Sequence, residues 1–122
     1  MTLIEAISKI DNLKHNTYTH EDKVVWLSTL DGMVKREIMD THEGDEVSFQ
    51  GYDTDSDVET VLLVPAPYDQ VYLRWLEAQI DYCNGEYSRF NNSMEMFHAA
   101  YQSYSNFYNR THMPKGVGIR FF

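Results

Sequence analysis

Between Leu73 and Tyr108, large side chains recur at alternating spacings of three and four residues, and no other feature restricts the fold of this chain as strongly. The run is Leu73, Leu76, Ile80, Cys83, Tyr87, Phe90, Met94, Phe97, Tyr101, Tyr104 and Tyr108. Residues three and four apart share one face of an α-helix, so the run is a heptad seam. It crosses Asn84-Gly85 without losing phase. Two separate helices have no reason to keep a common phase across a loop. The spacing therefore predicts one long helix over about residues 69–110, bent at most at Gly85. A helix–turn–helix at Asn84-Gly85 is the rival reading, because Asn-Gly is a strong breaker. A single helix of that length spans about 60 Å at 1.5 Å per residue, more than a compact domain of this size can cover.

Eleven of the 17 aromatic residues fall between Tyr68 and Tyr108, and seven of those are Tyr. An aromatic stripe at this spacing is most often core. Tyr, however, has an apolar body with a polar tip and is enriched at subunit contacts. Tyr72, Trp75, Tyr82 and Phe107 lie off the seam. One chain of 122 residues can hardly cover both faces of the long helix, so self-association is expected.

Upstream, Thr2-Leu3-Ile4-Glu5 has the pattern of a capping box, a hydroxyl followed three residues later by a carboxylate. Leu3, Ile7 and Ile10 continue it as a helix to about Leu13. Thr19-His20-Glu21-Asp22 opens a second helix, whose apolar stripe is Val24, Leu27, Leu30, Val34 and Ile38, flanked by Trp26 and Met33. This helix is expected to reach about Asp40. Gly32 within it costs about 1 kcal/mol relative to Ala and permits close approach by another backbone. Val47-Ser48-Phe49 and Val61-Leu62-Leu63-Val64 are β-prone and flank a turn-rich stretch, which predicts a small β-hairpin at about 46–64. An isolated hairpin is marginal in water, so this one needs support from its own helices, an adjacent subunit or another protein. Pro65 and Pro67 lead into the next helix. Pro114, Gly116 and Gly118 exclude helix from the last segment. The expected fold is mainly α: a helical bundle with one long C-terminal helix and a small β-hairpin insertion, forming one domain over 1–111. An extended C-terminal arm follows over 112–122.

An apolar content of 43% is that of a globular domain, and a net charge of −9 argues against a nucleic-acid-coating surface. The single cysteine, Cys83, excludes an intrachain disulfide and suits a reducing compartment. On the seam it is expected to act as a small buried hydrophobe. The N-terminus has no basic stretch followed by an apolar core, so no signal peptide is expected, and no membrane span is expected either. Asp53-x-Asp55-x-Asp57 matches the opening of a calcium loop, but Val58 and Val64 stand where Gly and Glu are required. A solvated loop is the reading there. The histidines His15, His20, His42, His98 and His112 form no ligand pair at helical spacing, and solvated or capping roles are expected for all of them. Gly116-x-Gly118 lies in the arm, not between a strand and a helix, so it is no phosphate loop. No catalytic residue, cofactor or metal ligand is assigned, and an enzyme is not expected.

The run Trp26-Leu27-Ser28-Thr29-Leu30-Asp31-Gly32 to Glu37-Ile38, followed by Val64-Pro65-Ala66-Pro67-Tyr68-Asp69, resembles a small protein of prophages and tailed phages of Gram-positive bacteria. Trp75-Leu76-Glu77-Ala78-Gln79-Ile80-Asp81-Tyr82, Asn84-Gly85-Glu86-Tyr87, Phe90-Asn91-Asn92-Ser93-Met94 and Tyr108-Asn109-Arg110 extend the resemblance over nearly the whole chain. The group is that of head–tail connector (adaptor, head-completion) proteins. The resemblance implies a helical virion protein that forms a ring, usually dodecameric, between the portal protein and a tail-side neck protein. It implies assembly in the host cytoplasm, DNA passing through the channel without specific binding, and no cofactor or reaction.

The residues expected to meet partners are Tyr104 and Tyr108 at the end of the seam, Arg110, and Lys115, Arg120, Phe121 and Phe122 of the arm. From Asn109 onward there are three basic residues and no acid. Two terminal Phe side chains gain about 1.5–3 kcal/mol each on burial, so the arm is expected to reach an adjacent subunit or the portal. The alternative function is an acidic helical inhibitor of a host nucleic-acid-binding protein. That role needs rows of carboxylates along one face, whereas the acids here are scattered and densest over residues 43–59.

Overall fold

The computed structural model describes residues 1–43, 49–53 and 59–113. Four helices account for most of them: α1 (Leu3–Leu13), α2 (His20–Val34), α3 (Gln70–Cys83) and α4 (Tyr87–Thr111). α2 runs on through a π-helical turn, Lys35–Met39, so the second helical stretch ends one residue before the expected Asp40.

Both N-terminal signatures form. The Thr2 hydroxyl accepts from the Glu5 N–H while the Glu5 carboxylate accepts from the Thr2 N–H, and Thr19 and Asp22 repeat the exchange. Each box satisfies two amides that have no partner within the helix. The stripe Val24, Leu27, Leu30, Val34 and Ile38 is buried along its whole length and meets Leu3, Ala6, Ile7 and Ile10 of α1 in one core. At Gly32 no backbone closes in: the nearest atom to an added Cβ is in the Phe49 ring, at 4.0 Å, an ordinary contact.

The long helix is the main correction. The chain turns at Asn84-Gly85 and α4 folds back antiparallel on α3, so the rival reading is the right one. The turn is a Schellman motif: Glu86 N–H donates to Asp81 C=O at 3.0 Å, Gly85 N–H donates to Tyr82 C=O at 3.0 Å, and Gly85 has φ +75°. Across the hairpin the Ser93 hydroxyl donates to Asp81 at 2.6 Å, Trp75 lies 4.9 Å from Phe97, and Tyr68 stacks on Phe107 at 4.8 Å. The two halves of the seam face each other, and that is why their phases agree. Each helix presents its apolar face to the same core.

Folding back also disposes of the excess aromatic surface. Tyr72 is fully buried, and Trp75 donates from its indole N–H to the Trp26 carbonyl at 2.8 Å. Phe107 is half-buried against Tyr68. Of the off-seam aromatics only Tyr82 stays exposed. Cys83, expected inside, is exposed because α3 ends at that residue and the chain turns away.

The β-hairpin does not form among the described residues, which contain no strand. Val47, Ser48 and the turn residues 54–58 lie outside them. Val61 instead makes one antiparallel bridge with Thr2, flanked by Leu3 N–H to Thr60 C=O at 3.0 Å and Leu62 N–H to Met1 C=O at 2.9 Å. The next two amides go to side chains: Leu63 N–H to Asp31 at 3.1 Å and Val64 N–H to the Tyr72 hydroxyl at 2.6 Å. Donors that a ladder would use are therefore taken by the N-terminus and the helices.

Candidate interaction surface

The sequence places partner contacts at the end of the seam, and the structure corrects two of them. Tyr104 and Tyr108 are 2% and 8% exposed and belong to the core. Tyr104 lies 5.8 Å from Tyr68, and its burial pushes its hydroxyl up to about 12. Tyr108 sits edge-on to His42 at 5.1 Å and stacks on His112 at 3.8 Å. Their positions on the seam face of a helix that folds back on α3 put them inside. Arg110 is exposed in the last turn of α4. Lys115, Arg120, Phe121 and Phe122, and with them the extended arm, lie outside the described residues.

Of the solvated or capping roles expected for the histidines, His42 takes the capping one, and it is 8% exposed. Its Nδ1 lies 2.6 Å from the Ile38 carbonyl and its Nε2 meets the Asn109 side chain, so the ring joins the end of the π-helical turn to the last turn of α4. Glu43 N–H adds a 2.7 Å bond to Met113 C=O beside it.

Asp31 is the polar centre of the molecule. It is fully buried and accepts from the Tyr52 hydroxyl at 2.6 Å, the Tyr72 hydroxyl at 2.7 Å and Leu63 N–H at 3.1 Å. Burial raises its pKa above the ordinary aspartate value, against the lowering effect of those three donors. Burial and the Asp31 charge push both tyrosines far above the usual phenol range. Tyr52 N–H meanwhile donates to the Ser28 hydroxyl at 2.9 Å. The cluster pins residues 49–53, residues 59–64 and α3 onto α2. Closed to solvent, its carboxylate holds the chain together and is not placed to meet a substrate. Sequence reading missed it, although the signal was there: Asp31 falls four residues after Leu27 and three before Val34, in phase with the apolar stripe.

A second buried carboxylate, Asp81, anchors α1 to the hairpin. Lys14 Nζ pairs with its Oδ1 at 2.6 Å, while Ser93 donates to its other oxygen at 2.6 Å. Lys23, 3% exposed, reaches Asp11 at 2.6 Å and the Tyr18 carbonyl at 2.9 Å, closing the α1–α2 loop.

The α3–α4 turn carries the exposed aromatic residues. Tyr82 and Tyr87 are 55% and 60% exposed, 5.9 Å apart, and Phe90 lies 5.2 Å from Tyr82. The Tyr18 hydroxyl donates to Asn84 at 2.6 Å and joins the group from the α1–α2 loop. Burial raises the Tyr18 pKa, with the charges of Cys83, Asp22 and Glu86 adding to the effect, and Glu86 in the turn pairs with Arg89 at 3.3 Å.

An open depression of about 400 Å³ on α2 is lined by Ser28, Lys35, Arg36, Asp40, Phe49 and Gln50 among others. Lys35 is tied to Asp40 at 2.9 Å. Among the described residues neither histidine nor cysteine lines it. Among the described residues no group of three His, Cys, Asp or Glu side chains could hold a metal ion, and no helix is long and apolar enough to cross a membrane. Asp55 and Asp57 of the calcium-like stretch lie outside those residues. Comparison with protein-family models, with curated proteins and with solved structures found no match to this chain.

Proposed function

We propose that this chain is a structural virion component of the head–tail connector class, assembling as a ring beneath the portal with DNA passing through its channel. The observation that carries the reading is the separation of two unlike surfaces to opposite poles. Exposed Tyr82 and Tyr87 stand at the α3–α4 turn, and Arg110 opens the acid-free basic stretch at the other end of α4. The 25 residues of α4 put about 36 Å between the two. Unlike patches on opposite ends favour heterologous contacts, which close into rings when the rotation between copies allows it. A net charge of −9 suits a wall that repels phosphates and lets DNA slide. The sequence resemblance supplies the class, and the portal and a tail-side neck protein would be the neighbours.

Negative-stain imaging of the purified chain, alone and mixed with the portal protein encoded beside it, tests the proposal. Rings, or a second tier on the portal, are the expected result. A chain that forms neither, and that is missing from purified particles, would show the reading to be wrong.

A further inference from the structure

We infer that the aromatic tip of the α3–α4 hairpin receives the basic C-terminal stretch of a second copy of this chain, residues 110–122, in a head-to-tail contact. The inference deepens the ring reading and rests on its premise of self-association.

Three observations lead to it. The first is the tip itself. Tyr82 and Tyr87 are more than half exposed although each touches another ring, so the cluster is preorganised yet uncovered. Rigid aromatics with polar tips are typical anchors of protein contacts. The second is charge. Glu86 lies in the turn, paired with Arg89 at 3.3 Å, and the chain as a whole carries 19 acids against 10 basic residues. The stretch from Arg110 onward reverses that balance, with Arg110, Lys115 and Arg120 and no acid, and adds the apolar pair Phe121-Phe122. Arg and Phe side chains are suited to tyrosine faces, and the cations to the acidic surface of the chain.

The third is reach. Phe122 lies nine residues beyond Met113, at most about 32 Å even as a fully straight strand. The tip of its own chain is about 36 Å away along α4. A neighbouring copy can bring its tip within reach of the same residues. Within one chain the contact would need those nine residues fully straight along α4, which favours a neighbouring copy. Its two unlike halves can propagate head to tail or be exchanged reciprocally in a two-fold pair, and the ring reading requires the first.

The test uses the full chain and two variants, by sedimentation velocity and light scattering. Tyr82→Ala/Tyr87→Ala removes the tip at exposed positions. Lys115→Glu/Arg120→Glu removes the basic stretch. Circular dichroism checks that both keep the native helix content. The wild type is expected to form species larger than a dimer that weaken with added salt. Each variant alone is expected to associate at least about tenfold more weakly, as for loss of aromatic or charged anchors. An equimolar mixture is expected to form dimers and nothing larger, since one variant keeps an intact stretch and the other an intact tip. Variants that assemble like the wild type, or a mixture that stays monomeric, overturn the contact and leave the ring reading standing. A wild type that stops at a dimer the charge variant still forms points to tip-to-tip pairing, and one that stops at a dimer lost in both variants points to reciprocal exchange; either overturns the head-to-tail contact. A wild type that remains monomeric both alone and with the portal protein overturns the ring reading and the contact with it.

Discussion

Replacing Gly85 by Ala separates the hairpin from a continuous helix by the sign of a stability change. Gly85 has φ +75°, and an added Cβ would meet no atom within 4 Å. The whole effect is therefore backbone strain, without a packing contribution. An L-residue in the left-handed region loses about 1–2 kcal/mol. Ala recovers about 0.4–1 kcal/mol by restricting the unfolded chain. The net expectation is a loss of about 1 kcal/mol. In an unbroken helix the same substitution would stabilise by about 1 kcal/mol, because Ala is the better helix former. The two architectures thus differ by about 2 kcal/mol, well above the error of a denaturation curve. Urea unfolding followed by far-ultraviolet circular dichroism reads the change as a lower midpoint at constant slope. In heat the loss corresponds to a fall of roughly 3–5 °C in Tm for a domain of this size. Gly85→Asn should lose less, since Asn tolerates the left-handed region. A Gly85→Ala protein more stable than the wild type would refute the reasoning.

Tyr72→Phe leaves the buried Val64 N–H and one oxygen of Asp31 without their partner, and a loss of about 2–3 kcal/mol in urea unfolding is expected. Asp31→Asn should destabilise at neutral pH, because three donors point at a group that has lost an acceptor oxygen. The folded pKa of Asp31 is raised, so the native state holds this proton more tightly than the unfolded chain does. The wild type therefore gains stability from this group as pH falls through the folded pKa toward the ordinary aspartate value. The penalty of Asp31→Asn should then grow on acidification, and a penalty that shrinks would contradict the assignment. Cys83 is exposed, so a thiol reagent should titrate one group in the native protein without denaturant; protection until unfolding would place that residue back in a seam.

Local signals were legible in the sequence. Thr2 with Glu5 and Thr19 with Asp22 announce two helix starts through side chains that reach only three residues, and both form as read. The stripe from Val24 to Ile38, and the seam from Leu73 to Tyr108 away from the turn where Cys83 and Tyr87 are exposed, identify which face of each helix is buried, because burial follows a period of 3.6 residues. Periodicity reports that a face is covered, and it is silent on what covers it. Unbroken phase across Asn84-Gly85 fits one straight helix and two helices facing a common core equally well. The decision came from a left-handed Gly85 and from contacts such as Ser93 with Asp81, between residues 12 apart in sequence. Val61 to Val64 have strand composition, yet the amides of Leu62, Leu63 and Val64 are claimed by Met1, Asp31 and Tyr72, partners no local pattern could name. For the same reason Tyr104 and Tyr108 are interior and Tyr82 and Tyr87 are surface, although all four have the same side chain and all but Tyr82 share one seam. Sequence determined the helices and their apolar faces through short-range chemistry. Tertiary structure alone decided how those faces pair, and therefore which aromatics remain for a partner, since pairing depends on contacts between segments far apart in the chain.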